Sequence, residues 1–344
     1  MQFRRIKSKI SSLLHKTRIV YMGTPEFAVA PLDNLIKHGH KVVGVVTVAD
    51  KPSGRGLKVN ESAVKKYAVE HGIPVLQPLK LKDPEFLAQL KALKADLFVV
   101  VAFRMLPEEV WKMPRLGTFN LHAALLPQYR GAAPINWAVI NGERTTFMID
   151  HNIDTGGIIL RQECRISPTD DAGIVHDNLM KLGSDLVLQT VEGIIENSVE
   201  TRVQRSFVQG SEVLKGAPKL TPELQNIDWR DSATQIYNLI RGLSPYPTAY
   251  TMLQKGEEPA TSLKIFSSEV MECPENTEPG TVITDGKTYF AIAAQDGAIS
   301  VKELQLSGKK RMKVEDFLRG FRDAEQWKAL NGTSKAELER LRNK

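Results

Sequence analysis

The sequence predicts an α/β domain built on a parallel sheet, followed by a small β-barrel domain. In residues 18–122, strand-like runs alternate with helical ones, and several runs are apolar throughout, which is typical of parallel strands covered by helices on both faces. Residues 205–221 are rich in Gly, Pro and polar residues and are predicted to be a linker. Beyond them, short strand-like runs at turn-marked intervals indicate a small barrel.

Capping residues and hydrophobic spacing define the elements of the first domain. Ser62 can cap a helix, and Asp83 ahead of Pro84 is a favourable helix start. The predicted strands are 18–23, 41–48, 74–76, 96–103 and 118–122, and the predicted helices are 24–39, 62–71, 83–94 and 172–197. Open parallel sheets place their sites at the carboxyl ends of strands, so we expect the site near residue 122.

The second domain is predicted to begin with a helix at 232–242. The strand-like runs after it are 248–253, 263–266, 280–283, 289–294 and 299–306, separated by turns such as "TDGK" and "QDGA". A basic segment, "SGKKRMKVEDFLRGFR", follows, with a predicted helix that carries Arg319 and Arg322.

Composition limits the class of protein. A chain of 344 residues with 42% hydrophobic and 25% charged residues is long enough for two globular domains. No stretch approaches the length of a transmembrane helix. Cys164 and Cys273 lie far apart and predict neither a disulfide framework nor a metal site. We expect a cytoplasmic monomer.

The net charge of +6 comes from the two ends of the chain. Residues 1–16 hold five cations and no acid, and residues 302–344 hold twelve Lys and Arg against seven Asp and Glu. The first stretch is interpreted as a basic extension, with a mitochondrial transit peptide as the alternative. The second is compatible with nucleic-acid binding.

Asn120, His122 and Asp154 are the candidate catalytic residues. Asn120 and His122 are two residues apart on one strand and should share a face, and Asp154 opens an Asp-Thr-Gly-Gly turn. Histidine can exchange a proton near neutral pH, an amide can donate to an oxyanion, and a carboxylate can orient the imidazole. A lone histidine at a strand end is more often structural, and the spacing leaves acyl transfer, hydrolysis and simple binding open. The absence of G-x-G-x-x-G after the first strand disfavours a dinucleotide dehydrogenase.

Two basic segments are candidate nucleic-acid contacts. The loop "DKPSGRGLK" carries Lys51, Arg55 and Lys58 on flexible backbone, which lets cations approach phosphates closely, although such loops are usually only solvated. The second segment includes Lys309, Lys310 and Arg311, and we expect it to form a surface with cations but few exposed aromatic residues. That composition favours holding a duplex backbone over stacking single-stranded bases.

Several motifs resemble those of the folate-dependent formyltransferases, in particular members that act on charged initiator tRNA. They are "VYMGTPEFAVAPL", "ADKPSGRGLK", "VLQPLKLKDPEF", "NLHAALLPQYRGAAPINWAVINGE", "IDTGG", "APKLTPELQNIDW", "IRGLSPYPTA" and "SGKKRM". The resemblance implies a Rossmann-like parallel sheet of the formyltransferase type and an OB-like barrel. It also implies a catalytic domain at 17–204, a linker at 205–221, a tRNA-binding domain at 222–330 and a charged tail at 331–344.

The resemblance implies roles for the site residues. The family moves the formyl group of 10-formyltetrahydrofolate to an amine without metal, here the α-amine of methionyl initiator tRNA. Asn120 would hold the oxyanion, His122 would shuttle the proton, and Asp154 would position His122. Folate is expected to contact Ala124, Leu125, Leu126, Pro127, Phe103 and Met105. The tRNA is expected to contact Arg55, Lys51, Lys58, Lys309, Lys310 and Arg311.

Three departures from the family pattern bear on these expectations. Ala124 stands where the family usually has Ser, and the loop "AFRMLP" is one residue shorter than the commoner form. The run after Glu143 lacks about six residues that the family normally carries before the Asp loop, and we expect an omitted segment, because a lost strand would misplace Asp154. The alternatives are a formyltransferase for glycinamide ribonucleotide or an amino sugar, and a catalytically inactive tRNA-binding protein.

Overall fold

The computed structural model describes residues 16–53, 58–123, 128–153, 156–202, 214–334 and 338, with backbone alone at 51–53, 58–59 and 151–152. The predicted extension at 1–16 therefore lies almost wholly outside the described residues. The chain forms two compact units, one from residues 1–128, 147–164 and 177–214 and the other from 129–146, 165–176 and 215–344. The domain boundaries proposed from the sequence stay a prediction.

The first unit is built on a seven-stranded sheet in the order β10-β9-β7-β6-β1-β2-β5. Its strands are β1 (Arg18–Gly23), β2 (Lys41–Val46), β5 (Val75–Leu76), β6 (Leu97–Val101), β7 (Thr118–Ala123), β9 (Thr145–Asn152) and β10 (Ile158–Arg165). The pairs β1–β2, β1–β6, β2–β5 and β6–β7 are parallel, and β9 runs antiparallel to β7. The predicted α/β class is confirmed. A small hairpin, β3 (Lys51–Ser53) and β4 (Lys58–Asn60), stands apart from this sheet.

Helices connect these strands, and local capping fixes two of their starts. Ser62 accepts a hydrogen bond from Lys65 N at 3.1 Å, and Asp83 accepts one from Glu85 N at 2.9 Å, as predicted from the sequence. The helices are α1 (Val29–Lys37), α2 (Ala63–Glu70), α3 (Pro84–Ala92), α4 (Glu108–Trp111), α5 (Pro134–Ile140) and α6 (Ala172–Glu196). Among the described helices, none is both long and apolar enough to cross a membrane.

The long helix α6 packs closely against strands β7 and β9 of the sheet. A Cβ placed on Gly183 would lie 2.8 Å from Met148 Cε and 2.9 Å from Leu121 Cδ2, so the helix approaches β7 and β9 closely at this glycine. The sheet presents a second apolar face to a cluster that includes Val100, Phe86 and Leu90.

The second unit contains a curled antiparallel sheet that confirms the predicted small barrel. The strands run β14-β15-β16-β13-β12-β18, and an isolated bridge between Thr281 and Lys328 links the two ends of this order. They are β12 (Ala249–Lys255), β13 (Thr261–Met271), β14 (Val282–Thr284), β15 (Phe290–Ala293), β16 (Ala298–Leu306) and β18 (Trp327–Leu330), with β17 (Met312–Lys313) paired to β16. Short strands β8 (Arg130–Gly131) and β11 (Gly216–Ala217) pair separately.

Helix packing completes the second unit. The remaining helices are α7 (Pro222–Gln225), α8 (Ala233–Leu243) and α9 (Val314–Leu318). Helix α5 lies directly on α8: Asn136 Nδ2 donates to Gly242 O at 2.8 Å, and a Cβ on Gly242 would lie 2.4 Å from Ile140 Cγ1. The guanidinium of Arg241, which is 7% exposed, donates to the carbonyl oxygens of Asp170 and Val139.

The structure corrects three expectations. Strand β13 is eleven residues long, not four, because register shifts around Ser267 break the alternation that marks a strand in the sequence. The hairpin β9–β10 was not predicted, since β9 buries Thr146 and Asp150 among its apolar residues. The helix predicted to carry Arg319 and Arg322 ends at Leu318, where i to i−3 hydrogen bonds turn the chain at Gly320.

The short run after Glu143 is closed by a compact helix end. Asn141 N, Gly142 N and Glu143 N donate to the last turns of α5 at 3.0 Å, and Gly142 has a φ of +71°, the left-handed conformation that favours glycine. The chain then enters β9 at Thr145. In this sequence the strand that leads toward Asp154 therefore forms directly after the short run.

Candidate active site and RNA-contact surfaces

Strand β7 presents the two candidate catalytic residues on one face. Phe119 and Leu121 are 1% and 3% exposed and point toward α6, while Asn120 and His122 alternate with them and are half-buried. This placement follows directly from the period-two pattern of the sequence. It brings an amide and an imidazole to the same side of the sheet at the carboxyl end of a strand.

The neighbouring strand β6 stops pairing with β7 one residue before His122. The last paired residues are Val101 and Leu121, and Ala102 then turns the chain away with a φ of +47°. Such a conformation is strained for a residue with a Cβ and needs support from its surroundings. His122 therefore lies one residue beyond the last β6 partner.

Arg104 supplies that support for the loop after β6. Its guanidinium donates to Leu79 O at 3.0 Å and to Pro78 O, which ties the loop to the segment before α3. Phe103 is partly buried against the apolar cluster of the first unit, whereas Met105 is 94% exposed. Of the two predicted folate contacts in this loop, Met105 is thus the accessible side chain. Sequence analysis did not identify Arg104, whose partners lie 25 and 26 residues away.

Strand β9 flanks the other side of β7. The register places His151 opposite Asn120 and Ile149 opposite His122. Sequence analysis gave no role to His151, which lies directly across from the candidate oxyanion donor. The remaining predicted residues of the site, Asp154 and the folate-contacting run of Ala124, Leu125, Leu126 and Pro127, lie outside the described residues.

Asp150 is a buried carboxyl group behind the candidate site. It is 0% exposed and lies opposite Leu121 in the β7–β9 register, the position next to His122. Thr190 Oγ1 of α6 donates to its Oδ2 at 2.5 Å, and its Oδ1 has no hydrogen-bond partner in the described part of the chain. Burial raises the pKa of Asp150 to about 7, and the hydrogen bond from Thr190 opposes that rise. Burial, together with the charge of Asp150, raises the pKa of Tyr21 well above its ordinary value.

The candidate RNA-contact loop is a hairpin held at its base. Strands β3 and β4 pair Lys51 with Asn60 and Ser53 with Lys58. The tip with Arg55 and the side chains of Lys51 and Lys58 lie outside the described residues.

The base of this hairpin, residue Asp50, is fixed by two partners. Lys65 forms an ion pair with Asp50 and also binds Glu61 at 2.7 Å, and Gln77 Nε2 donates to Asp50 Oδ1 at 2.7 Å. The hydrogen bonds from Lys65 and Gln77 hold the pKa of Asp50 below its ordinary value. Sequence analysis missed this group of residues, because none of them belongs to the cationic motif itself.

The second basic segment lies on the barrel. Lys309, Lys310 and Arg311 are exposed in the turn between β16 and β17. Arg311 forms an ion pair with Glu303, and its guanidinium lies 4.2 Å from the centroid of the Phe266 ring. Lys309 and Lys310 are not engaged in ion pairs with described residues, so they are the freer cations of the three.

Comparison with protein families finds two matches that together span most of the chain. Residues 17–191 match the formyl transferase family, and residues 219–322 match the formyl transferase C-terminal domain. The chain is 53% identical over 315 residues to the methionyl-tRNA formyltransferase of Bacteroides fragilis, covering 90% of this chain and 97% of that protein. It is 52% identical over 313 residues to the methionyl-tRNA formyltransferase of Flavobacterium johnsoniae, with 90% and 97% covered.

Solved structures share the fold at low sequence identity. An N-formyltransferase from Helicobacter canadensis, in complex with folinic acid and dTDP-3-aminofucose, has a TM-score of 0.59 at 20% identity, covering 83% of this chain and 98% of that one. WlaRD, a sugar 3N-formyltransferase, has a TM-score of 0.58 at 18% identity, covering 86% and 99%.

Proposed function

The chain belongs to the formyl transferase family, and from that premise we propose that it transfers the formyl group of 10-formyltetrahydrofolate to the α-amine of methionyl initiator tRNA. The observation that carries the proposal is the 53% identity to a methionyl-tRNA formyltransferase along 97% of that protein, including its C-terminal part. The activity would supply formylated initiator tRNA to translation.

The arrangement on β7 supports a direct acyl transfer. The α-amine attacks the formyl carbon, the carbonyl π electrons move to oxygen, and Asn120 donates a hydrogen bond to the resulting oxyanion. One such donor typically lowers the barrier by ~3 kcal/mol. His122 takes the proton from the attacking nitrogen. As the tetrahedral intermediate collapses, the bond from carbon to N10 of the folate breaks, and His122 returns a proton to the leaving nitrogen.

Positioning of this pair involves residues on both sides of β7. We propose that Asp154 orients His122, as the family pattern implies. The folate would lie along the turn formed by Ala124, Leu125, Leu126 and Pro127 and against the loop that Arg104 fixes. Met105, the exposed residue of that loop, is available to contact the pteridine ring. Phe103 would support the loop from below by packing against the apolar cluster of the first unit.

The tRNA would be held at two basic surfaces. The hairpin with Lys51, Arg55 and Lys58 is proposed to contact the acceptor end of the tRNA. The contacts of Asp50 with Lys65 and Gln77 would hold the base of the hairpin in position for that contact. Lys309, Lys310 and Arg311 on the barrel would contribute phosphate contacts, which are sensitive to salt and independent of sequence. The protein is proposed to act in the cytoplasm as a monomer.

The deciding experiment is turnover on methionyl initiator tRNA with 10-formyltetrahydrofolate. We expect formyl transfer to the charged tRNA and none to free methionine. Transfer to glycinamide ribonucleotide or to a nucleotide-linked amino sugar, without transfer to the tRNA, would replace this function with that of a small-amine formyltransferase. Binding of the tRNA without turnover on any of these amines would identify an inactive tRNA-binding protein.

A further inference from the structure

The barrel carries an apolar cleft of about 500 Å³ beside the basic turn. Strands β12, β16 and β17, helix α9 and strand β18 all contribute to it. Its floor and walls are Leu253, Leu306, Met312, Phe317, Phe321 and Trp327, and its remaining lining residues are Lys255, Lys309, Asp316, Gly320 and Arg322. This volume lies within the range of about 300–1,000 Å³ that is usual for small-ligand sites.

Aromatic rings form one wall of this cleft. The centroids of Phe317 and Phe321 are 4.9 Å apart, and those of Phe321 and Trp327 are 5.3 Å apart. The Trp327 indole is oriented by a hydrogen bond from its Nε1 to Arg322 O at 3.0 Å. Phe317 and Phe321 are 9% and 8% exposed, so the half-buried Trp327 is the most accessible ring of this wall.

The rim of the cleft is predominantly cationic. Asp316 is the acidic residue of the lining and forms an ion pair with Arg319 at 3.2 Å, and Lys255 is paired with Asp323 at 2.7 Å. Arg322 is held at the rim by hydrogen bonds to the carbonyl oxygens of Leu318 and Phe321. Lys309 has no acidic partner among the residues that the structure describes. An apolar lining with an accessible indole, below the charges of Lys309 and Arg322, which are unpaired among the described residues, matches a nucleobase attached to a phosphate.

We propose that this cleft binds one unpaired nucleotide of the tRNA, with its base against Met312 and Trp327 and its phosphate at Lys309 and Arg322. The proposal rests on the proposed function, which makes an RNA the partner of this surface. It adds single-base stacking to the phosphate contacts of the neighbouring turn. Leu338, the last residue that the structure describes, lines a separate cleft with Trp137 and Leu224.

Gly320 makes the proposal testable without disturbing the barrel core. It lines the cleft, its φ lies outside the left-handed region, and a Cβ on it would meet no heavy atom closer than Phe317 O at 3.9 Å. A leucine at this position would therefore fill the cleft, whereas an alanine would leave most of it open. Gly216 is a matched control, because a Cβ there meets nothing within 4 Å and the residue lies outside the cleft.

The experiment measures KM for methionyl initiator tRNA, KM for the formyl donor and the melting temperature of the full chain. We expect Gly320→Leu to raise KM for the tRNA about tenfold, the scale of one lost base stack. KM for the formyl donor and the melting temperature should stay at the wild-type values. Gly320→Ala and Gly216→Leu should resemble the wild type in all three measurements.

The outcomes separate this proposal from the function on which it rests. If the wild type does not formylate methionyl-tRNA, the proposed function fails. If it does, and Gly320→Leu retains the wild-type KM for tRNA, the nucleotide site is overturned while the function stands. A wild-type dimer that Gly320→Leu converts to monomer, with KM for tRNA unchanged, would assign the cleft to a second copy of the chain and also overturn the proposal.

Discussion

Replacing Asp150 with Asn should change how the stability of the protein depends on pH. The folded-state pKa of Asp150 is about 7 because the carboxyl group is fully buried, compared with an ordinary value of 3.8. Between these two values the unfolded chain is ionised and the folded protein keeps its proton. The unfolded state therefore binds fewer protons, and the free energy of unfolding must fall as pH rises through this interval. Above the folded-state pKa the carboxyl group is ionised in both states, and the free energy of unfolding falls no further.

The size of the effect follows from the separation of the two pKa values. About three pKa units at 1.36 kcal/mol each give a total loss of about 4 kcal/mol. Roughly 3 kcal/mol of it falls between pH 5 and pH 8, and the rest lies below pH 5. An Asn side chain has nearly the shape of the protonated carboxyl group, can accept the hydrogen bond from Thr190, and does not titrate. The free energy of unfolding of the Asp150→Asn variant should therefore not show this fall with rising pH.

Urea unfolding at pH 5, 6, 7 and 8 measures the difference directly. Between pH 5 and pH 8 the free energy of unfolding of the wild type should fall by roughly 3 kcal/mol relative to that of Asp150→Asn. The variant should therefore be the more stable protein at pH 8. Thr190→Val, which removes the opposing hydrogen bond, should move the wild-type midpoint to higher pH. Parallel pH profiles for the wild type and Asp150→Asn would show that Asp150 does not carry a raised pKa, and the inference from its burial would be refuted.

Three further substitutions test the site, the RNA-contact hairpin and the second unit. His122→Ala should reduce kcat by ~10²-fold or more, the usual effect of losing a general acid and base, and a near-normal kcat in a rapid-quench assay would remove it from proton transfer. Asp50→Asn should raise KM for tRNA, by up to about tenfold, more than KM for the formyl donor, because it loosens the base of the hairpin. Equal changes in the two constants would argue against a role specific to tRNA. Arg241→Met should lower the free energy of unfolding by about 1–3 kcal/mol, because it removes the guanidinium donor from Asp170 O and leaves Val139 O with Gly142 N alone among the described donors. Arg241→Lys serves as the charge-preserving control in the same urea titration.

Features with a local cause were predictable from the sequence. Ser62 and Asp83 cap their helices through contacts two or three residues away, and Asn120 and His122 share a face because every strand alternates with period two. The alternation of strands and helices likewise sufficed for the parallel sheet. Each of these signals lies within a few residues of the structure that it specifies.

Features created by distant packing were not predictable. Asp150 is a polar residue in an unremarkable run, and only the approach of α6, forty residues later, makes it a buried carboxyl group. In the sequence Arg104 cannot be told apart from any other loop arginine, because its acceptors, the carbonyl oxygens of Pro78 and Leu79, are brought to it only by the fold. The aromatic wall of the barrel cleft unites β18 with the segment around α9, which no periodicity in the sequence connects. Such groups depend on three-dimensional neighbours that a single sequence does not specify.

The way the chain threads its two compact units has a consequence for protein engineering. The backbone passes from one unit to the other at residues 128–129, 146–147, 164–165, 176–177 and 214–215. A fragment ended at residue 204 would keep α5 but lose α8, against which Asn136 and Ile140 pack. We expect such a fragment to expose an apolar helix face and to aggregate, which size-exclusion chromatography would reveal. Exchange of C-terminal parts between relatives should accordingly succeed only when residues 129–146 and 165–176 are exchanged with them.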